Sequence, residues 1–322
     1  MSQGRYRDAS RCAEEAVRAA VAADQDDPLA QAHLVLHGVE VFTGSSSEVD
    51  HGGTALRLYS SLGDLSGQAH AHNNIAMRRL LQGRWPEALE GFQRAAADFD
   101  QVGDVANAAN AAYNSADLLN RQGRPQQSLQ VLAGVLRIAR AVDDEELRAL
   151  VLREQGRAHH RAGRHPEGDA LLGSARSLFH ALHEPHEVCE TDIVAAEGQV
   201  LAGLDAEALA ATGLVLEAVT RLGAATLLPF VHRVRATAQL DRGDFAGARV
   251  SLHDGLAASS APDLAHERGF LLAVQAHLES LDPQLGQPSG TSSEAAEALA
   301  RLGVVRAPLP WLPSGDELVA HG

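Results

Sequence analysis

Arg153, Arg157 and Arg161 recur at i, i+4 and i+8, so a helix carries all three on one face. A guanidinium fork fits the two oxygens of a carboxylate or a phosphate. On a chain with a formal net charge of -15, the stripe is a local positive feature suited to an acidic group. The same spacing has a plainer use, in which the three arginines pair with Glu154, Glu190 or Glu197 of their own chain. Three arginines cannot offset the bulk charge, so nucleic acid and anionic membrane are excluded as partners.

Other chemistry is harder to assemble from these residues. All 27 basic residues are arginine, which removes a Walker-type phosphate loop, a Schiff-base lysine and a kinase lysine. Histidines number 16, and six of them (His159, His160, His165, His180, His183 and His186) crowd one stretch. None forms a His-Glu-x-x-His pair, and Cys12 and Cys189 are not spaced as metal ligands. There is no Gly-x-Ser-x-Gly elbow and no dinucleotide fingerprint following a strand. Asp143-Asp144-Glu145-Glu146 looks like a carboxylate cluster, but acidic residues at a helix start are favoured by the helix dipole. The expectation is a non-enzyme with no metal and no cofactor. Distant cysteines, no apolar run near 18 residues and no leader point to the cytoplasm.

The elements that would position these residues announce themselves by period. Gly83, Gly123, Gly163, Gly203 and Gly243 stand 40 residues apart, each closing a short turn such as Gln82-Gly83-Arg84. A second comb lies 20 residues off: Gly63-Asp64, Gly103-Asp104, Asp143-Asp144, His183, Gly223 and Gly303. Ala- and Leu-rich runs fill the intervals, and no stretch alternates as a strand. Two breaks per period read as helix–turn–helix units stacked in series. The units run 28–64, 65–104, 105–144, 145–184, 185–224 and 225–263, with an irregular cap over 264–303. In that cap a helix follows a Pro/Gly/Ser linker over 282–290, with Ser293 as its N-cap. Residues 1–27 carry a turn copy at Gly4 and match only the second helix of a pair. That reads either as a stack continuing upstream or as a lone capping helix whose bare face could join two copies. Beyond 303, the Pro-rich segment 304–322 is expected to be extended and to pack on the last unit through Trp311. Hydrophobic residues make up 45% but aromatics only 4%, so alanine, leucine and valine must build the core. Arginine without lysine, beside abundant alanine and glycine, is the usage of a GC-rich bacterial genome.

Small residues fall in two columns: Ala76, Ala116, Gly156, Ala196 and Ala236 before the turn, and Ala88, Ser128, Gly168, Ala208 and Ala248 after it. Phe92, Leu132, Leu172 and Leu252 follow four residues on, ahead of a third small or β-branched column at Ala95, Val135, Ala175 and Val215. This order resembles the tetratricopeptide repeat over residues 1–303. Its period of 40 exceeds the common period of about 34 and is similar to the long repeats in C-terminal arms of bacterial signal-transduction ATPases, transcriptional regulators and some cyclases.

The resemblance implies an all-α, right-handed superhelical solenoid that binds partners in the concave groove lined by first helices. Carried onto this sequence, the groove positions are Asn73, Asn74 and Met77; Asn110, Tyr113, Asn114, Asp117 and Arg121; Arg153, Arg157 and Arg161; and Glu197. It further implies a regulatory or signalling scaffold holding a protein or peptide, with an acidic group or C-terminal carboxylate on the arginine stripe. Two other readings stand beside it: the ligand-sensing arm of a larger regulator, and a self-assembling adaptor dimerising through the N-terminal helix.

Overall fold

The computed structural model describes residues 2–45, 47–261, 264–281 and 290–310, with backbone alone over 2–4. Among them every long element is helical: α1 (Ser2–Ala22), α2 (Asp26–Thr43), α3 (His51–Leu62), α4 (Leu65–Leu81), α5 (Trp85–Gln101), α6 (Val105–Arg121), α7 (Pro125–Ala141) and α8 (Glu145–Arg161). The series continues with α9 (His165–Ala181), α10 (Pro185–Leu201), α11 (Asp205–Leu222), α12 (Leu228–Asp241), α13 (Phe245–Ala258), α14 (Ala265–Leu281) and α15 (Thr291–Arg301). The helices pack in consecutive pairs, among them α2/α3, α4/α5, α8/α9, α10/α11, α12/α13 and α14/α15. The fold is an all-α solenoid. No helix among the described residues is long and apolar enough to cross a membrane.

The combs work through backbone geometry. Each turn residue takes a left-handed conformation, from Gly63 (φ 68°) through Gly83 (φ 71°) and Gly123 (φ 79°) to Gly243 (φ 75°). In the turn after α4, Gly83 N–H donates to the Leu80 carbonyl at 3.0 Å and Arg84 N–H to the Arg79 carbonyl at 2.8 Å. This double bond pattern closes a helix end and needs positive φ, which glycine supplies without Cβ strain. Asp143 (φ 59°) and His183 (φ 60°) hold the same place without glycine, and Asp144 N–H and Glu184 N–H still reach back to Ala139 and Phe179. In the Gly-Asp turns the second residue starts the next helix, since Asp64, Asp104, Asp144 and Asp244 each accept a hydrogen bond from the amide three residues on. One dipeptide thus ends one helix and begins another.

The small columns are buried as read: Ala76, Ala116, Ala196 and Ala236 are fully enclosed, as are Ala88, Ser128, Ala208 and Ala248. Ser128 Oγ donates to the Ala116 carbonyl at 2.8 Å, binding α7 to α6.

The chain divides into two compact units, residues 1–115 and 116–322, with the boundary inside α6. In the first unit, Tyr59 packs with Ala30 and Ala55, while Phe99 packs with Ala69, Ala95, Ala108 and Ala111. In the second, one cluster spans α9 to α12 around Ile193 and Val231, and another spans α12 to α15 around Leu271 and Val274.

Three readings need correction or restriction. Gly4 lies inside α1 and makes no turn. Ser293 is not a cap, because α15 begins two residues earlier, after Gly290, and the Ser293 hydroxyl bonds Glu297 on the helix surface. Trp311 and the segment 282–289 lie outside the described residues. The tail does pack on the last unit, through buried Ala307 and Leu309. It also crosses to the turn after α6: Val305 N–H donates to the Gln122 carbonyl at 2.8 Å, and Gln122 Nε2 donates to the Leu302 carbonyl at 3.0 Å. Gly123 faces the Arg306 backbone so closely that a Cβ there would collide with the Arg306 carbonyl oxygen.

Two substitutions test this geometry. His183→Gly relieves a left-handed side chain worth about 1 kcal/mol and is expected to raise the thermal midpoint by about 2 °C. Gly123→Ala adds both Cβ strain and a clash, so the Val305 amide should lose its hydrogen-exchange protection while amides in α4 and α5 keep theirs.

Candidate functional site

The first helices of the second unit carry most of its buried charge. Arg153 and Arg157 are each only 4% exposed, and Arg233 is 1% exposed. Ions this deep require partners, because an unpaired buried charge costs several kcal/mol. Each has them. Arg153 Nη1 donates to Glu187 Oε2 at 2.6 Å and lies 3.5 Å from Glu190. Arg157 lies 3.5 Å from both Glu154 and Glu190 and 4.0 Å from Asp117. Arg161 donates to Glu197 Oε2 at 3.0 Å and to the Asn120 carbonyl. Arg233 holds Glu197 at 2.9 Å and Glu267 at 2.7 Å, with its guanidinium over the Phe230 and Phe270 rings.

Followed in order, these pairs close on themselves. Asn120 Nδ2 donates to Glu154 and links α6 to α8. Arg153 and Arg161 link α8 to α10, Arg233 links α10 to α12 through Glu197, and the same arginine links α12 to α14 through Glu267. His266 on α14 then meets Arg121 Nη1 at 3.1 Å, and Arg121 returns to Asp117 on α6 at 2.9 Å. Five first helices are joined in a ring of ion pairs and hydrogen bonds.

The electrostatics follow from burial opposed by neighbours. Burial pushes the Glu197 carboxyl up, but Arg161, Arg233 and Arg157 together outweigh it and hold it at about 2. Burial also raises Glu154, and there Arg157 and Arg153 do not make up the difference. His266 is driven down to about 4 by burial, with Arg121 adding to the effect, so it is neutral at pH 7.

The arginine stripe therefore has carboxylate partners within its own chain, including the three glutamates named from sequence. Asp117, Arg121 and Glu197 belong to the same ring. The remaining groove positions lie in the first unit and are of a different kind. Asn73, Asn74 and Met77 on α4 and Tyr113 and Asn114 on α6 are half-buried, and Asn110 is exposed. Among the described residues, the side-chain amides of Asn73, Asn74, Asn110 and Asn114 make no hydrogen bond, in contrast to Asn107, which bonds Asp104 at 2.8 Å. The sequence reading missed Glu187, Arg233, His266 and Glu267. The ruler of 40 could have found two of them: Arg233 stands two periods after Arg153, and Glu267 two periods after Glu187.

No nucleophile–base pair is assembled in the ring. His186, Glu187 and Glu190 bring ligand atoms within 4.8 Å of one another, but both carboxylates are already engaged by Arg153. Both cysteines are unpaired thiols.

Residues 104–179 match the family model of the tetratricopeptide repeat. Over this stretch the chain is similar to the tetratricopeptide repeat. A Rap protein, solved in complex with competence and sporulation factor, superposes with a TM-score of 0.70 at 13% identity, covering 94% of this chain and 86% of that one. Aspartyl phosphate phosphatase F from Bacillus subtilis superposes with a TM-score of 0.57, also at 13% identity, covering 84% of this chain and 70% of that one. At such identity the likeness is one of fold. No curated protein matches the chain in sequence. The period of 40 sets these tetratricopeptide-like pairs apart from the shorter common repeat.

The ring makes stability depend on pH in two windows. Glu197, held at about 2 against an ordinary 4.5, contributes fully above pH 4.5 and loses its contribution as pH falls from 4.5 to 2. His266, at about 4 against 6.5, stays neutral where the unfolded chain takes up a proton, so stability also drops from pH 6.5 to 4. Denaturant midpoints measured against pH should show both declines. His266→Gln is expected to flatten the upper one and Arg233→Ala to cost about 3–5 kcal/mol at pH 7; an unaltered profile in His266→Gln would contradict the assignment.

Proposed function

We propose that the chain is a protein- or peptide-binding scaffold whose partner lies along the first-helix face of α4 and α6. The observation that carries this reading is the set of unpaired, accessible amides at Asn73, Asn74, Asn110 and Asn114. A side-chain amide offers both a donor and an acceptor, which is the complement of an extended main chain. Met77 and Tyr113 beside them supply adaptable apolar surface for a partner's side chains. The Rap protein solved with competence and sporulation factor supports the reading, since a similar fold there holds a partner. A regulatory or signalling role is part of the same proposal.

The finer reading, that Arg153, Arg157 and Arg161 anchor an acidic group or a C-terminal carboxylate, takes a more demanding form. An incoming carboxylate would exchange with Glu187 or Glu190, the two carboxylates at the more accessible edge of the ring. Such exchange conserves charge and favours a partner able to pay back the lost pair with a bidentate contact.

Selection from a phage-displayed library of short random peptides tests the scaffold reading. The wild-type chain should enrich related sequences, and Asn110→Ala/Asn114→Ala should bind the enriched peptides on the order of 10–30-fold more weakly, each amide being worth about 1 kcal/mol. Failure to enrich any sequence, or equal binding by the double variant, would remove the amide face as the site.

A further inference from the structure

A cavity of about 400 Å³ opens at the turn end of the second unit. Its walls are the turns that follow α6, α8 and α10, and its cover is the segment 306–310. This volume is in the range of small-molecule pockets. The polar groups facing it include Arg161, Arg306, His160 and His165, with Leu201 and Leu309 among its apolar surfaces. No acidic side chain lines it among the described residues, although the chain as a whole carries a formal charge of -15.

These side chains are held in different ways. Arg161 has a side chain only 7% exposed. Its two terminal nitrogens are committed to Glu197 and the Asn120 carbonyl, while its Nε–H is buried with no acceptor among the described residues. Arg306 is exposed and has no ion-pair partner among the described residues. Its backbone is fixed on both sides, by the Val305 bond to Gln122 and by buried Ala307 and Leu309. That fixing pre-positions a charge that would otherwise lose entropy on binding. His160 and His165 approach each other at 3.1 Å between their Nδ1 atoms, and His165 remains half-exposed. The proline backbone at 308 and 310 contributes no amide donors, so recognition falls to these side chains.

We propose that this cavity binds a small ligand bearing an oxyanion, a phosphate or a carboxylate on a compact apolar body. The oxyanion is received by Arg306 and His165, with the buried Arg161 guanidinium adding its charge behind them, and the apolar body lies against Leu201 and Leu309. The site is independent of the amide face on α4 and α6.

Calorimetric titration of the full chain at pH 7 with inorganic phosphate, and separately with succinate, tests the proposal and distinguishes the two headgroups. One of them should saturate a single site. Arg306→Ala and His165→Ala should each weaken that binding roughly tenfold without changing the far-ultraviolet circular dichroism. Arg84→Ala, an exposed arginine in the first unit, and Asn110→Ala/Asn114→Ala should leave it unchanged. Failure of both anions to saturate, or an equal loss in Arg84→Ala and Arg306→Ala, overturns the site.

Discussion

Glu197 is held between Arg161 on one side and Arg233 on the other, and the second unit is arranged around that arrangement of charge. A carboxylate removed from water must be met by cations at contact distance, so α8, α10 and α12 can adopt only the spacing that brings those three side chains together. The same constraint repeats outward through Glu187, Glu267 and Asp117 until it closes at His266. Apolar packing by Ala, Leu and Val supplies the bulk of the stabilisation, but alanine surfaces are nearly featureless and tolerate sliding. The ion pairs fix the register that a small-residue core leaves loose.

The turns set the angle at which those helices meet. A left-handed residue followed by an aspartate cap is a short, stiff corner, and its recurrence at fixed spacing brings the first helices of the second unit back to one side. Asp143 and His183 show that the corner tolerates a side chain at some energetic cost. What it does not tolerate is a change in length, because one added residue would rotate the next first helix by about 100° and turn its charges out of the ring.

The architecture was legible in the sequence because it rests on local rules. Turn glycines and small-residue columns each act within one or two turns of chain, and apart from Gly4 they were found where they were read. The arginine stripe was legible too, along with Glu154, Glu190 and Glu197 among the glutamates it pairs with. The closure was not. His266 meets Arg121 across 145 residues and Gln122 meets Leu302 across 180, and neither pair carries a local mark. The relation between Arg153 and Glu187 recurs between Arg233 and Glu267, each 34 residues apart. That regularity shows itself only once the first helices are known to be neighbours. The unpaired amides of Asn73, Asn110 and Asn114 stood out in the same way, by contrast with arginines whose charges proved to be paired.

The bond between Val305 and Gln122 alters the statistical mechanics of the stack. A solenoid is ordinarily a line of units coupled to nearest neighbours, and it frays from its two free ends. Once the segment after α15 is fastened to the turn after α6, the second unit becomes a loop with no free terminal repeat of its own for melting to begin from. Any opening inside the second unit must then break two interfaces at once. Between the turn after α6 and the strap that covers it, the protein has exchanged the graded elasticity of a spring for the all-or-none behaviour of a buckle.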